Sequence, residues 1–222
     1  MRRKSDAFFM PENLVPFSFL SHMMKGKESF MEKKPMLSRI TQQYLDTYER
    51  ILQNMIRKMR EVTLTDSISH NFIVRMIPHH QAAIEMSQNL LQYTTNLPLQ
   101  DIALRIISTQ TQGIARMRDI LRTCSALGNS RQNLRRYEQS LSAIMQVMFS
   151  NMQHARVANN INCNFMWEMI PHHQGAAAMA RTALQYPICP ELKPVLQSII
   201  ATQQQGIMQM QQLQRRMHCP AR

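Results

Sequence analysis

Glycine is scarce in this chain, with 5 residues in 222. An average protein spends roughly 7% of its residues on glycine, and strand-and-turn folds place it at their bends. The shortage points to an all-helical chain. Aromatic residues are also few, at 6%, which leaves little ring area for a β-sandwich core. No run approaches the ~18 consecutive apolar residues of a spanning helix, so no membrane span is expected. The cysteines Cys124, Cys163, Cys189 and Cys219 have no CxxC spacing. They read as isolated thiols of a reducing compartment rather than as a disulfide frame. The basic opening, Arg2 to Lys4, is soon interrupted by Asp6, Pro11 and Glu12. The apolar piece Leu14–Leu20 is short and no small-x-small cleavage site closes it. No secretory signal is read, and a cytoplasmic location is expected.

Two residue classes are in excess. Lys and Arg number 26 against 14 Asp and Glu, a formal net charge of +12. Such a balance favours acidic partners. Its densest segment is Arg116, Arg118, Arg122, Arg131, Arg135 and Arg136. Methionine numbers 20. Its thioether is soft and polarizable, so it serves equally as core filler or as a metal ligand.

The chain repeats itself. Phe72-x-x-x-Met76-Ile77-Pro78-His79-His80-Gln81 recurs as Phe165-x-x-x-Met169-Ile170-Pro171-His172-His173-Gln174, at an offset of 93. The register holds without a gap from Tyr44 to Leu121, with about 28 identities in 78 positions. Apolar spacing of three and four divides each copy into three helices. The first copy predicts helices over 38–60, 67–93 and 99–122, and the second over 131–155, 160–185 and 191–217. A basic segment, 1–37, precedes the copies 38–128 and 129–222, which are expected to pack as one domain.

The middle helix of each copy carries the chemistry. Met76, His79 and Met86 share one stripe with Phe72, Ala83 and Leu90. Met169, His172 and Met179 share the matching one. A methionine and a histidine three residues apart can reach one ion, while His80 and His173 fall on the adjoining stripe. Pro78 and Pro171 remove the bonds to the carbonyls of Val74 and Trp167, and a kink is expected one turn before the histidines. A lone histidine on an apolar stripe is usually a hydrogen-bonded core residue. Two adjacent ones, repeated after a proline and beside matching methionines, read instead as ligands. Met55, Met59, Met148 and Met152 read as core. Gln110 and Gln203 interrupt the third-helix stripe at matching places and read as hydrogen-bond partners of the site.

The donor set restricts the metal. A di-iron bundle needs inward carboxylates and Glu-x-x-His motifs, and neither is present. Zinc favours closed His, Cys and carboxylate sets. Thioether and imidazole without carboxylate suit Cu(I) or Ag(I).

The pattern Phe-x-x-x-Met-Ile-Pro-His-His-Gln-x-Ala, followed about thirty residues on by Gln-x-x-x-Ile-x-x-Met, resembles the bacterial family called domain of unknown function 305. The resemblance covers residues 40–217. It implies a ferritin-like four-helix bundle of two tandem repeats, with an additional helix before each. It also implies that Met76, His79, His80, Met169, His172 and His173 form a metal-associated signature, since some members bind copper and serve in copper resistance. Asn71 and Asn164 stand where the family commonly has Asp. Gly113 and Gly206 stand where it commonly has Glu. Loss of both carboxylates has two opposite readings: a softer, more neutral site, with Asn71, Asn164, Gln110 and Gln203 around it, or a site that has decayed into packing.

Three functions compete at this level. One is a copper-binding protein, favouring Cu(I), that sequesters or buffers the ion without chemistry of its own. Another is a helical interaction bundle whose basic surface holds an acidic partner or nucleic acid. Against nucleic acid, only Tyr137 is interleaved with the arginines, and no helix-turn-helix signature appears. An enzyme is the third, and is not expected. There is no Ser-His-Asp order, no phosphate loop and no carboxylate pair.

Overall fold

The computed structural model describes residues 36–219, all of whose regular structure is helical. Six helices follow in order: α1 (Arg39–Arg60), α2 (Ile68–Leu91), α3 (Leu97–Ser125), α4 (Arg131–Gln153), α5 (Ile161–Ala183) and α6 (Leu192–Arg216). Each lies within a few residues of its expected span. The starts are fixed by side-chain caps. Ser38, Ser67, Asn96, Ser130 and Asn160 each accept a hydrogen bond from the backbone N–H three residues on. Such caps satisfy donors that the helix itself leaves orphaned. Helices α2 and α5 run through Pro78 and Pro171 without a break in helical assignment.

Helices α2, α3, α5 and α6 make a ferritin-like four-helix bundle. Helix α2 packs on α3, α5 on α6, α2 on α5 and α3 on α6. The extra helices lie outside it, α1 against α2 and α4 against α5. Both also reach across the repeat boundary. Tyr44 of α1 donates its hydroxyl to Glu168 of α5 at 2.6 Å. Arg75 of α2 makes a two-pronged pair with Glu138 of α4, at 3.0 and 2.8 Å. These extra helices convert α2 and α5 from half-covered into wholly enclosed elements, which is why the two motif helices bury residues on every side.

The cysteines correct the sequence reading. All four are paired, Cys124 with Cys189 and Cys163 with Cys219, and no free thiol remains. Spacing along the chain hid this, because the partners lie 65 and 56 residues apart and meet only through the bundle. Cys124 ends α3 and Cys189 lies in the connection before α6, so that bond ties the two repeats together. Cys163 and Cys219 join the start of α5 to the end of α6. At the matching place in the first repeat, His70 Nδ1 and Ser125 Oγ lie 2.8 Å apart instead.

Closing loops of this length restricts the unfolded chain. Removing the second crosslink by Cys163→Ser with Cys219→Ser is expected to cost about 2–4 kcal/mol of stability. Urea unfolding with and without a reductant measures it. The oxidised wild type should unfold at higher urea, and the reduced wild type should lie at or below the double variant.

Candidate metal centre

The proline-histidine turns of α2 and α5 face each other at the middle of the bundle. Small side chains make this approach possible: Ala83 and Ala176 are fully buried next to the motif. The rings of His79 and His172 stack with centroids 3.7 Å apart and planes 31° from parallel. His172 Nε2 lies 3.1 Å from the backbone carbonyl of His79. The carbonyl can only accept, so Nε2 carries the proton and donates. His80 and His173 lie outward of the stack, with ring centroids 6.1 and 5.9 Å from those of His79 and His172. They rest against α3 and α6. A Cβ at Gly113 would come within 2.9 Å of the His80 ring, and one at Gly206 within 2.8 Å of the His173 ring. These glycines are the seats of the outer imidazoles. Where the family commonly has Glu, the absence of any side chain is what lets the ring in.

All four histidines are buried, none more than 2% exposed. Five of their eight ring nitrogens are sealed from solvent without a hydrogen-bond partner: both nitrogens of His79 and the Nδ1 atoms of His80, His172 and His173. Leaving a buried polar group unpartnered costs on the order of 1–3 kcal/mol, so such a cluster calls for a ligand or a proton. A proton is disfavoured. Burial, with help from neighbouring imidazoles, pushes His79 and His173 well below the ordinary histidine value. Burial lowers His80 to about 3 and His172 to about 4. At neutral pH the four rings are therefore uncharged and keep lone pairs for a metal.

The thioethers are equally enclosed. Met76, Met86, Met169 and Met179 are at most 1% exposed and belong to the core. Each shares its helix with the histidine pair, at the spacing read from the sequence. Met148 of α4 lies so close to α5 that a Cβ at Gly175, one turn beyond His172, would overlap its sulfur. Two clefts open at the α3–α6 seam. One is lined by His173 and Gly206, the other by His80 and Gly113, and Thr109, Gln110, Thr202 and Gln203 line both. The Oε1 atoms of Gln110 and Gln203 are buried without partners, so these residues do stand at the site. Asn71 and Asn164 do not hold histidines. Each clamps the loop before its helix, through both N–H and C=O of Thr65 or of Ala158. The six arginines are all exposed.

The histidines form no single cage. Among the described residues, the one trio of His, Cys, Asp or Glu side chains with ligating atoms within 4.8 Å of one another is Cys124, Cys189 and Glu191, and its sulfurs are bonded together. The centre is thus two pseudo-equivalent half-sites joined by the His79–His172 stack. Among the described residues, no aspartate or glutamate joins these histidines in such a group.

The profile of the family described as domain of unknown function (DUF305) matches residues 69–214. The chain belongs to this family. The DUF305 region spans α2 to α6 nearly whole, leaving α1 before it. Among solved structures, the chain is similar to CopM in its silver-bound form, at 28% identity over 70% of this chain and 98% of that one, with a TM-score of 0.50. CopM in its Cu(I)-bound form matches at 28% identity over 69% and 98%, with a TM-score of 0.49. A DUF305 fragment from Deinococcus radiodurans matches at 22% identity over 67% and 96%, with a TM-score of 0.49. No curated protein matches the chain. Among the described residues of this DUF305 chain, no helix is long and apolar enough to cross a membrane.

One buried carboxylate on α5 faces a tyrosine rather than a cation. Glu168, 2% exposed, is held up at about 8 by burial, against which its bond from Tyr44 acts only partly. Two opposing pH effects follow by linkage. Unfolded histidines take protons near pH 6.5 that the folded ones refuse, so stability falls as pH drops from there toward 4. Folded Glu168 keeps a proton that the unfolded chain releases near 4.5, so its contribution falls as pH rises from 4.5 to about 8. Urea midpoints of the metal-free chain should fall on the acid side of pH 6.5 and decline more gently toward pH 8. Glu168→Gln should flatten the alkaline decline and leave the acid one.

Proposed function

We propose that this chain sequesters or buffers a soft metal, with Cu(I) its natural ion, and performs no reaction on it. The observation that carries the reading is the set of five buried, unpartnered imidazole nitrogens, uncharged at neutral pH, on helices that also bury methionines one and two turns away. Neutral imidazole and thioether, without a carboxylate among the donors, select Cu(I) and Ag(I) over Zn(II) or Fe. The silver-bound state of CopM supports the choice, since Ag(I) shares the charge and softness of Cu(I). In the first half the donors are Met76, His79, His80 and Met86; in the second they are Met169, His172, His173 and Met179. Gln110 and Gln203 hold the outer wall.

Enclosure argues for storage rather than turnover. Burial of the ring nitrogens keeps a bound Cu(I) away from bulk water. The two clefts at the α3–α6 seam are its natural approach, because they reach His80 and His173. The disulfides weigh toward work in an oxidising compartment, not the cytoplasm expected from the sequence.

Competition against a chromophoric Cu(I) chelator tests the reading. The wild type should withdraw Cu(I), and the variant with His79, His80, His172 and His173 all changed to Ala should not. Equal stoichiometry in the two would overturn it. A second readout is stability. Ligand bound only to the folded state raises the melting temperature, so Ag(I) should raise it clearly and Zn(II) should not.

A further inference from the structure

The two clefts at the α3–α6 seam correspond position for position, since the repeat offset of 93 carries the lining of one onto that of the other. They differ in charge at two places. The cleft that reaches His80 has Arg116 where its counterpart has Gln209. The cleft that reaches His173 has Arg105 where its counterpart has Ser198. Each cleft is therefore lined by a single arginine, taken from a different position, and neither is lined by an aspartate or glutamate. Both arginines are exposed, and among the described residues neither enters an ion pair. An arginine on the route to a cation site has the wrong sign for a bare ion, which it repels on approach. It has the right sign for an ion that arrives inside anionic ligands. Soft thiolates hold Cu(I), and one Cu(I) between two thiolates carries a net negative charge.

We propose that the α3–α6 clefts are loading ports for a small anionic Cu(I) complex of the bis-thiolate class, which Arg105 and Arg116 draw to the mouths. This rests on the soft-metal reading above. The clefts hold about 110 Å³ at His80 and about 30 Å³ at His173, room for a few waters at most. The ligands therefore stay at the mouth, beside the arginine, and the ion alone goes in. Inside, the outer imidazole is the first one reached. Gly113 lines the cleft with His80, and the ring edge that carries Nε2 lies on this glycine; Gly206 and His173 repeat the arrangement. Each bond from copper to thiolate that breaks is replaced by one to a lone pair of the core. Copper stays Cu(I), and the thiolates depart as anions.

Stopped-flow transfer of Cu(I) to the full, oxidised chain, in anaerobic buffer, reads this from two coloured donors. The bicinchoninate complex is anionic and the neocuproine complex is cationic. Arg105→Glu with Arg116→Glu should slow transfer from the anionic donor about tenfold and should not slow transfer from the cationic one. Arg131→Glu with Arg135→Glu changes the net charge equally at exposed arginines that line neither cleft. It should leave both rates close to those of the wild type. Circular dichroism establishes that each variant is folded. A second measurement needs no variant. Raising sodium nitrate from about 0.01 M to about 0.15 M shortens the screening length from about 30 Å to about 8 Å, and should slow the wild type's uptake from bicinchoninate while speeding its uptake from neocuproine. Equal slowing by the two double variants, equal slowing of the two donors, or rates indifferent to charge would each overturn the ports. Final Cu(I) stoichiometry should be the same in all three chains, so the ports can fail while metal binding stands. A wild type that takes Cu(I) from neither donor would overturn the functional reading and the ports with it.

Discussion

Everything near the centre of this bundle follows from one awkward constraint: imidazole nitrogens are buried where they have no hydrogen bonds to make. A protein interior tolerates polar atoms only when they are partnered. Here the rings of His79 and His172 are pressed together and the outer rings are seated on glycine. Supplying a partner residue would have been easy. Leaving room for one would have been easier still. The structure does neither, and instead buries the nitrogens inside the bundle. An atom with a lone pair, no proton and no neighbour is poised for a cation, and the enclosure decides which cation. Hard ions that keep several waters do not enter such a place readily. A soft ion that accepts few ligands and sheds water easily does.

Duplication gives the centre its near-symmetry, and a few substitutions break it. Positions 75 and 168 are equivalent in the repeat, yet one is Arg and the other Glu. Arg75 pairs with Glu138 through its two terminal nitrogens, while Glu168 takes its hydrogen bond from Tyr44. Tyr137, the counterpart of Tyr44, is left with a buried hydroxyl and no partner, because the place that would have accepted from it holds an arginine. The two halves have therefore solved the docking of α1 and α4 in different ways. One uses an ion pair and the other a neutral acid. Each solution works only with its own partner, so exchanging Arg75 and Glu168 singly would leave a buried charge stranded.

Much of this was legible in the sequence, and the reason is periodicity. Helix boundaries, the repeat offset and the buried stripe all come from local spacing, which survives translation into structure. So did the co-location of Gln110 and Gln203 with the histidines, since a polar residue repeated inside an apolar stripe has to be buried. What was not legible depends on contacts between distant segments. The disulfides pair cysteines 65 and 56 residues apart, and no spacing rule announces them. Asn71 and Asn164 precede the motif phenylalanines in both copies, which suggested the site, but on a helix that neighbour points away from the stripe and reaches the preceding loop. Gly113 and Gly206 looked like lost carboxylates. Only the position of the opposing ring shows that glycine there is room for an imidazole.

The disulfides and the metal centre bear on each other. A site made from two halves is only as well defined as the packing of one half on the other, and stacked rings 3.7 Å apart tolerate little sliding. Cys124–Cys189 crosses the repeat boundary and fixes the end of α3 to the start of α6, the same pair of helices that seats His80 and His173. It acts at a distance from the centre, yet it limits the motion that would separate the half-sites. Cys163–Cys219 does the corresponding work within the second half, from the first turn of the helix that carries His172.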